Sequence, residues 1–215
     1  MIAVLKNILF AKKKNNMLIS LKNIGFSYRY TLFEKISETL EIGDFLAIYG
    51  PSWVGKSTLL EIIGNIRKPS NGKIFFDSSL SDRQKDFWYS FVGGPFFEEM
   101  TVRENVLFLE FFSKITIDRD FYAELLEIFE IKNLENLSVK NLSAGQRERV
   151  NMVRAFVHKP KIVILDEPGS NLDARLFEKT LQFLKNQKNS VICVATHHHE
   201  YREIATKIIT LQPLS

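Results

Sequence analysis

The sequence predicts an α/β fold in which helices pack around a mostly parallel β-sheet. The chain has 215 residues, a length that suits a single domain with a substantial core. Two short and almost wholly apolar stretches, "KIVILD" and "SVICVAT", are typical of strands buried on both faces of a parallel sheet. Stretches with helical spacing of apolar residues alternate with the predicted strands, and this alternation indicates a parallel sheet.

The first part of the predicted domain, residues 17 to 49, is expected to be β structure. "MLISLKNIGFSY" and "LFEKISETLEI" alternate apolar and polar residues, and "DFLAIY" is a nearly continuous apolar run. "STLLEIIGNI" then has the spacing of an amphipathic helix, and "PSNGKIFF" indicates a turn that leads into another strand.

Helices dominate the rest of the chain. About residues 101 to 140 are predicted to form an all-helical insertion, because "TVRENVLFLEFFSKI" and "DFYAELLEIFEI" are both amphipathic. "SAGQRERVNMVRAFVH" predicts another helix, with Ser143 as its N-cap. "ARLFEKTLQFLKNQ" predicts a further helix, and "YREIATKI" a short one near the end.

Composition sets some limits on function. The net charge of +4 arises from 29 basic and 25 acidic residues, and an excess so small and scattered gives no reason to expect a nucleic-acid partner. The single cysteine, Cys193, excludes an internal disulfide. No apolar run reaches the roughly 18 residues that a membrane-spanning helix needs. Residues 1 to 16 are expected to be a tail or to precede a true start at Met17, with an amphipathic membrane-surface segment as the alternative.

A phosphate-binding frame, "GPSWVGKST", follows the predicted strand "DFLAIY" and opens the next helix. In such a frame the backbone amides curl around phosphates, Lys56 reaches the outer ones, and the Ser57 hydroxyl binds Mg²⁺. The helix also points its positive end at the site. The residues predicted to bind nucleotide here are Gly50, Pro51, Ser52, Trp53, Val54, Gly55, Lys56, Ser57 and Thr58.

Two carboxylates end the predicted strand in "IVILDEP". The carboxyl end of a parallel strand opens onto the crevice where ligands bind, so both side chains are expected beside the phosphate loop. Asp166 is predicted to hold Mg²⁺ together with Ser57, and Glu167 is predicted to act as the general base on the attacking water.

Taken together, these stretches resemble the nucleotide-binding subunit of an ABC (ATP-binding cassette) transporter. "GPSWVGKST" resembles the Walker A motif of that family, "ILDEP" its Walker B motif, "SNLD" its D-loop, and "LSAGQ" its LSGGQ signature. His197 stands in the place of the switch histidine, and Tyr28 in that of an aromatic residue that stacks on adenine, for which Tyr30 is a weaker candidate. The resemblance covers about residues 17 to 213. The signature residues are Leu142, Ser143, Ala144, Gly145 and Gln146.

The resemblance implies a P-loop NTPase core with an N-terminal antiparallel β subdomain and an inserted helical subdomain. It implies ATP and Mg²⁺ as ligands, with Glu167 and His197 as catalytic residues. Two subunits, in the simplest case a homodimer, would sandwich each ATP between the Walker A motif of one chain and the signature of the other. A separate polytopic membrane permease would form the pore, so the chain is expected in the cytoplasm, peripheral on the inner face of the cell membrane.

The sequence departs from the family pattern at two places. The family usually has a glutamine between the sheet and the helical insertion, where this chain has Gly93 or Gly94. It also usually has glycine where this chain has Trp53, which would strain the backbone if φ is positive. Two alternatives therefore stay open beside the transporter subunit, namely a poorly hydrolysing regulatory cassette and a soluble ABC ATPase. Hints about the cargo point in conflicting directions.

Overall fold

A computed structural model describes residues 16–90, 94–113 and 115–214. Most of the predicted N-terminal tail, and Gly93, lie outside these described residues. The described chain forms two β-sheets and six α-helices, with three short 3-10 segments, Lys132–Leu134, Val139–Asn141 and His199–Glu203.

The smaller sheet is antiparallel. Its strand order is β2–β1–β4, and each neighbouring pair runs antiparallel. The expectation of an N-terminal antiparallel β layer is therefore confirmed. The bounds are Met17–Ser27 for β1, Thr31–Glu41 for β2 and Asn71–Phe76 for β4.

The larger sheet is parallel, with the strand order β5–β6–β7–β3–β8. The carboxyl ends of β6, β7 and β3 therefore lie side by side at one edge, and the segments that leave these ends carry the predicted site. The bounds are Phe45–Tyr49 for β3, Phe87–Ser90 for β5, Ile162–Asp166 for β6, Val191–Ala195 for β7 and Lys207–Thr210 for β8.

Five of the six helices among the described residues follow predicted amphipathic stretches, and the short helix α2 was not predicted. Two of them, α3 and α4, fall within the predicted helical insertion, and α5 begins directly after Ser143, which caps it as expected. The bounds are Lys56–Ile63 for α1, Arg83–Asp86 for α2, Val102–Ser113 for α3, Arg119–Ile128 for α4, Ala144–Phe156 for α5 and Ala174–Lys185 for α6.

The central strands are apolar on both faces because each face packs against its own core. In β3, Ala47 faces the core that contains the helices α3 to α6. Its neighbours Leu46 and Ile48 face the other core, which contains α1 and the antiparallel sheet. All three side chains are 0% exposed, and fully burying a large apolar side chain contributes roughly 1.5–3 kcal/mol. The strands that carry the site residues are therefore packed between two cores.

The end of the chain differs from the sequence prediction. "YREIATKI" was expected to be a short helix, but only a 3-10 turn, His199–Glu203, forms there, and Lys207–Thr210 pairs with β3 as the edge strand β8. Exposed and partly buried residues alternate along β8, so the strand is half-buried and lacks the continuous apolar run of its neighbours. A helix with the length and hydropathy of a membrane span is not found among the described residues.

Candidate nucleotide-binding site

The phosphate loop joins β3 to α1. Gly50 follows the last residue of β3, and Lys56 is the first residue of α1. Gly55, at the N-cap of this helix, has a φ of 105°, and a Cβ at this position would lie 2.9 Å from the ring of Phe33. Glycine is therefore required here on both conformational and steric grounds. No side chain caps the helix, so its first N–H groups stay available to a ligand.

The charged groups of the loop and of β6 meet. The Lys56 ammonium donates hydrogen bonds to the carbonyl oxygens of Gly50 at 2.9 Å and of Pro51 at 3.3 Å. The same Nζ lies 3.7 Å from Glu167 Oε1. The structure therefore brings Lys56 and Glu167 together.

Asp166 is the last residue of β6, and the Ser57 hydroxyl lies beside it. Burial raises the pKa of the Asp166 carboxyl above its ordinary range, the interaction with Ser57 opposes this shift, and the neighbouring Glu167 adds to it. A carboxylate and a hydroxyl are oxygen ligands of the kind that Mg²⁺ prefers. The donor set of this pair thus fits a magnesium ion.

His197 and Glu167 are hydrogen-bonded. The His197 Nδ1 lies 2.8 Å from Glu167 Oε2, and its side chain is exposed at the mouth of the site. The two residues leave the carboxyl ends of the paired strands β7 and β6, which explains how positions 30 apart in sequence come into contact.

An open cavity of about 530 Å³ contains most of these groups. Tyr28 and Trp53 stand at its rim, and both are strongly exposed. Tyr28 packs edge-on against Phe26, with ring centroids 4.9 Å apart, and the Arg67 guanidinium lies 5.5 Å from its ring. The cavity is lined by Tyr28, Leu32, Ser52, Trp53, Gly55, Lys56, Ser57, Thr58, Asp166 and Glu167.

Several predicted nucleotide-binding residues lie outside this lining. Gly50 and Pro51 take part through their carbonyl groups, which hold Lys56, and Val54 is buried. Tyr30, the weaker adenine candidate, is exposed and does not line the cavity.

The signature residues do not line the nucleotide cavity, but Ala144 lines a smaller neighbouring cavity that also includes Asp166 and Glu167. Ser143 and Gln146 form a reciprocal capping box, in which the Ser143 N–H donates to Gln146 Oε1 at 2.8 Å and the Gln146 N–H donates to Ser143 Oγ at 3.3 Å. Ser143 and Ala144 are exposed and Leu142 is buried. The start of α5 is thus a preformed surface that is open to solvent.

Of the two glycines at the position where the family usually has glutamine, the structure describes Gly94. Gly94 has a φ of 48°, and a Cβ there would lie 3.3 Å from Asn151 Oδ1 on α5. Asn151 in turn donates a hydrogen bond to the Ser90 hydroxyl. In the part of this segment that the structure describes, an asparagine side chain from α5 therefore faces the glycine.

The sequence did not predict two residues that support the segment after Glu167. Glu148 and Tyr201 form hydrogen bonds with the backbone of residues 168–171, which follow Glu167 directly. Neither lies in a motif position that the sequence analysis had singled out, and only the tertiary contacts identify them.

Comparisons with known proteins agree with this geometry. A family model described as "ABC transporter" matches residues 33–170. The spermidine/putrescine import ATP-binding protein PotA of Legionella pneumophila is 32% identical over 85% of this chain and 53% of its own length. The ergothioneine transport ATP-binding protein EgtV of Helicobacter pylori is 32% identical over 92% of this chain and 98% of its own length. The chain thus spans about half the length of PotA and nearly all of EgtV.

Solved structures show the same architecture. The dimeric structure of MJ0796, a bacterial ABC transporter cassette, superposes with a TM-score of 0.79 at 28% identity, covering 91% of this chain and 94% of that one. MJ0796 in a post-hydrolysis state, bound to ADP and Pi, also has a TM-score of 0.79 at 28% identity, covering 90% of this chain and 94% of that one. The predicted fold, a parallel sheet with an antiparallel β layer and inserted helices, is confirmed.

Proposed function

The chain belongs to the ABC transporter family, and from that premise we propose that it binds and hydrolyses ATP to drive transport through a separate membrane subunit. The observation that carries the proposal is the convergence of Lys56, Asp166 and Glu167 at one open cavity, with Lys56 and Glu167 only 3.7 Å apart and His197 hydrogen-bonded to Glu167.

The residues divide the chemistry among themselves. Lys56 and the backbone amides of the loop bind the phosphates, and Ser57 and Asp166 would hold Mg²⁺, which shares the phosphate charge. Glu167 accepts the proton of the attacking water. His197, hydrogen-bonded to the other carboxylate oxygen of Glu167, orients that carboxylate, and its exposed ring is free to contact the phosphates of bound ATP. Tyr28 offers a ring face for adenine.

A second ABC subunit is part of the proposal, in the simplest case another copy of this chain. The signature does not line the nucleotide cavity of its own chain, and its capped helix start is exposed. The backbone of Ala144 and Gly145 and the hydroxyl of Ser143 are therefore placed to contact ATP that is bound by the partner. The partial positive charge at a helix N-terminus favours such a contact with phosphate.

An exposed aromatic patch supports a membrane partner. Phe111, on α3, is 90% exposed, and Phe97 is 43% exposed and packs on Phe108 with ring centroids 4.2 Å apart. Glu104 and Glu110 line the same surface, and Glu110 is already paired with Arg119. An apolar surface of this kind fits a partner segment that carries apolar side chains. We place the chain in the cytoplasm, peripheral on the inner face of the membrane, through this patch.

Hydrolysis is tested with the purified chain, ATP and Mg²⁺. The wild type is expected to release phosphate, and Glu167→Gln is expected to bind ATP with nearly unchanged affinity, to abolish turnover and to form an ATP-dependent dimer in gel filtration. Glu178→Gln, an exposed carboxylate on α6, is the matched control and should turn over normally. A wild type that binds ATP without hydrolysing it would instead support the alternative of a regulatory cassette. Trp53 and the absent glutamine are the reasons for that alternative.

Membrane coupling is tested by fractionation. The wild type should sediment with membranes that contain its permease, and Phe111→Ser should release it into the supernatant. Ile66→Ser is the control, because Ile66 is a 44% exposed apolar residue that does not line the aromatic patch. A wild type that stays in the supernatant would support the soluble ABC ATPase. The cargo stays open, since the relatives are named for substrates as different as spermidine, ergothioneine and Fe(3+) ions.

A further inference from the structure

The turn that follows Glu167, residues 168–171, is held from two sides. On one side, the Glu148 carboxylate accepts hydrogen bonds from the backbone N–H of Gly169 and, at 3.0 Å, from that of Asn171. It also accepts one from the Asn171 side-chain amide at 2.9 Å. On the other side, the Tyr201 hydroxyl donates a 2.8 Å hydrogen bond to the Pro168 carbonyl oxygen.

We call these contacts of Glu148 and Tyr201 with residues 168–171 the clamp. Three N–H donors converge on one carboxylate, and hydrogen bonds to an ionised acceptor are roughly twice as strong as neutral ones. Tyr201 is 0% exposed, and its ring packs between Phe45 and Phe177. The hydroxyl is therefore fixed in place, and the turn cannot shift without breaking contacts on both sides.

The clamp also joins the turn to the signature. Glu148 and Gly145 lie on the same helix, α5, within one turn of each other. A Cβ at Gly145 would lie 2.6 Å from the carbonyl oxygen of Asn171, so the first turn of the helix touches the 168–171 turn without room for a side chain. A displacement of the start of α5 is thus transmitted to this turn.

Glu167 depends on the position of the turn. Its φ is 49°, in the left-handed region, and its N–H donates to the Ala195 carbonyl oxygen at 2.8 Å. The backbone before Glu167 is anchored in the sheet, so the peptide that follows it sets the direction of the side chain. A misplacement of a reacting group by about 1 Å can cost on the order of a hundredfold in rate.

We propose that Glu148 is a positioning residue that couples the signature of this chain to the orientation of its own Glu167. The inference rests on the proposed function, because Glu167 acts there as the base. When the signature closes on ATP bound by a second copy, α5 and the 168–171 turn move together and bring the Glu167 carboxylate to its working position. Each chain then hydrolyses its own ATP only while it also grips that of its partner, which makes the ATP dependence of turnover sigmoidal.

The test is Glu148→Gln. Glutamine has the same shape as glutamate but carries no charge. Its NH₂ group replaces one of the two acceptor oxygens, so a donor would face a backbone N–H that now has no acceptor. We expect kcat to fall about tenfold or more, the ATP Kd to stay within about twofold, and the Hill coefficient for ATP to fall to about 1. Tyr201→Phe, which removes only the opposite hydrogen bond, should lower kcat in the same direction by less. Glu178→Gln is the control and should match the wild type.

Hydrogen exchange provides a readout that does not need turnover. The amides of Gly169 and Asn171 should exchange faster in Glu148→Gln than in the nucleotide-free wild type, while those of the central strands stay protected. Unchanged protection at both amides would overturn the clamp. A hydrolysing wild type whose kcat and Hill coefficient survive Glu148→Gln would overturn the coupling. A wild type without ATPase activity would contradict the proposed function instead. The exchange measurement would then still test whether Glu148 holds the 168–171 turn.

Discussion

Lys56 and Glu167 face each other across the candidate nucleotide site, with the ammonium nitrogen 3.7 Å from the nearer carboxylate oxygen. The other carboxylate oxygen lies 2.8 Å from His197. The ammonium is therefore held between loop carbonyls and a carboxylate at the place where phosphate oxygens would bind. Glu167 keeps the lysine charge close to the site, and phosphate would compete with it for the same ammonium.

Lys56→Ala should weaken ATP binding because it removes this charge. A hydrogen bond to a charged group contributes about 1.5–3 kcal/mol, which corresponds to roughly a tenfold to hundredfold rise in Kd. Isothermal titration with ATP and Mg²⁺ measures the change. Lys68→Ala, at an exposed lysine beyond α1, is the matched control and should bind ATP as the wild type does. Equal affinities of Lys56→Ala and wild type would contradict the placement of phosphate at this loop.

Tyr28→Ala should weaken the binding of adenine nucleotides. Tyr28 lines the cavity and is 62% exposed, so one ring face is open to a base. Loss of a stacking partner costs about 1–3 kcal/mol in base–aromatic systems. Tyr30→Ala should change the Kd little, since Tyr30 is 80% exposed and lies outside the lining. A larger effect of Tyr30→Ala would mean that the two tyrosines have been assigned in the wrong order.

The central part of the fold could be predicted from sequence because burial leaves a clear pattern. Strands such as β6 and β7 lie between two cores, so nearly every residue is apolar and the strand can be recognised without its neighbours. Edge strands leave a weaker signal. β8 is half-buried and pairs with β3, and only its first two residues belong to "YREIATKI", so this stretch carried little signal of the strand.

The candidate site divides in the same way. Lys56, Asp166 and Glu167 were predicted because their motifs combine local geometry with residue chemistry. Glu148 and Tyr201 were not, because their hydrogen bonds join segments 21 and 33 residues apart in sequence. Such long-range contacts depend on the packing of α5 and of the 3-10 turn against one loop, which no local pattern encodes.

His158 should make folding stability dependent on pH. The side chain is 8% exposed, beside Trp88, and burial lowers its pKa from 6.5 to about 4. At pH values well above 6.5 the ring is neutral in both states. As the pH falls from 6.5 toward about 4, the unfolded chain binds a proton that the folded chain does not, so the free energy of unfolding decreases. The total loss is on the order of 3 kcal/mol at most.

Urea denaturation between pH 7 and pH 4 measures this dependence. His158→Phe, which cannot be protonated, should show a shallower slope of the unfolding free energy against pH than the wild type. His199→Gln, at an exposed histidine, should keep the slope of the wild type. Identical slopes for all three proteins would mean that acid destabilisation originates from other groups.

The Trp53 side chain is almost fully exposed. It is 96% exposed at the rim of the nucleotide cavity. Its φ of 69° lies in the left-handed region, as the family preference for glycine suggested. Holding a residue other than glycine in this conformation costs about 1–3 kcal/mol. No ring contact or hydrogen bond of Trp53 within the described residues offsets this cost, so we expect a partner to do so.

Tryptophan fluorescence tests whether Trp53 becomes buried when two ATP-bound chains close on each other. The chain has two tryptophans, so Trp88→Phe leaves Trp53 as the only probe, and Glu167→Gln keeps the ATP-bound dimer from turning over. ATP should shift the emission to shorter wavelength and protect it from quenching by acrylamide, with the same dependence on protein concentration as dimer formation. A shift that saturates with ATP in the monomer would place the indole against the nucleotide instead.

Trp53→Gly should raise the melting temperature of the nucleotide-free chain by relieving backbone strain, and it should weaken the dimer by removing an aromatic anchor. An emission that ignores both ATP and dimerisation, together with normal dimer formation by Trp53→Gly, would leave Trp53 without a role in the interface.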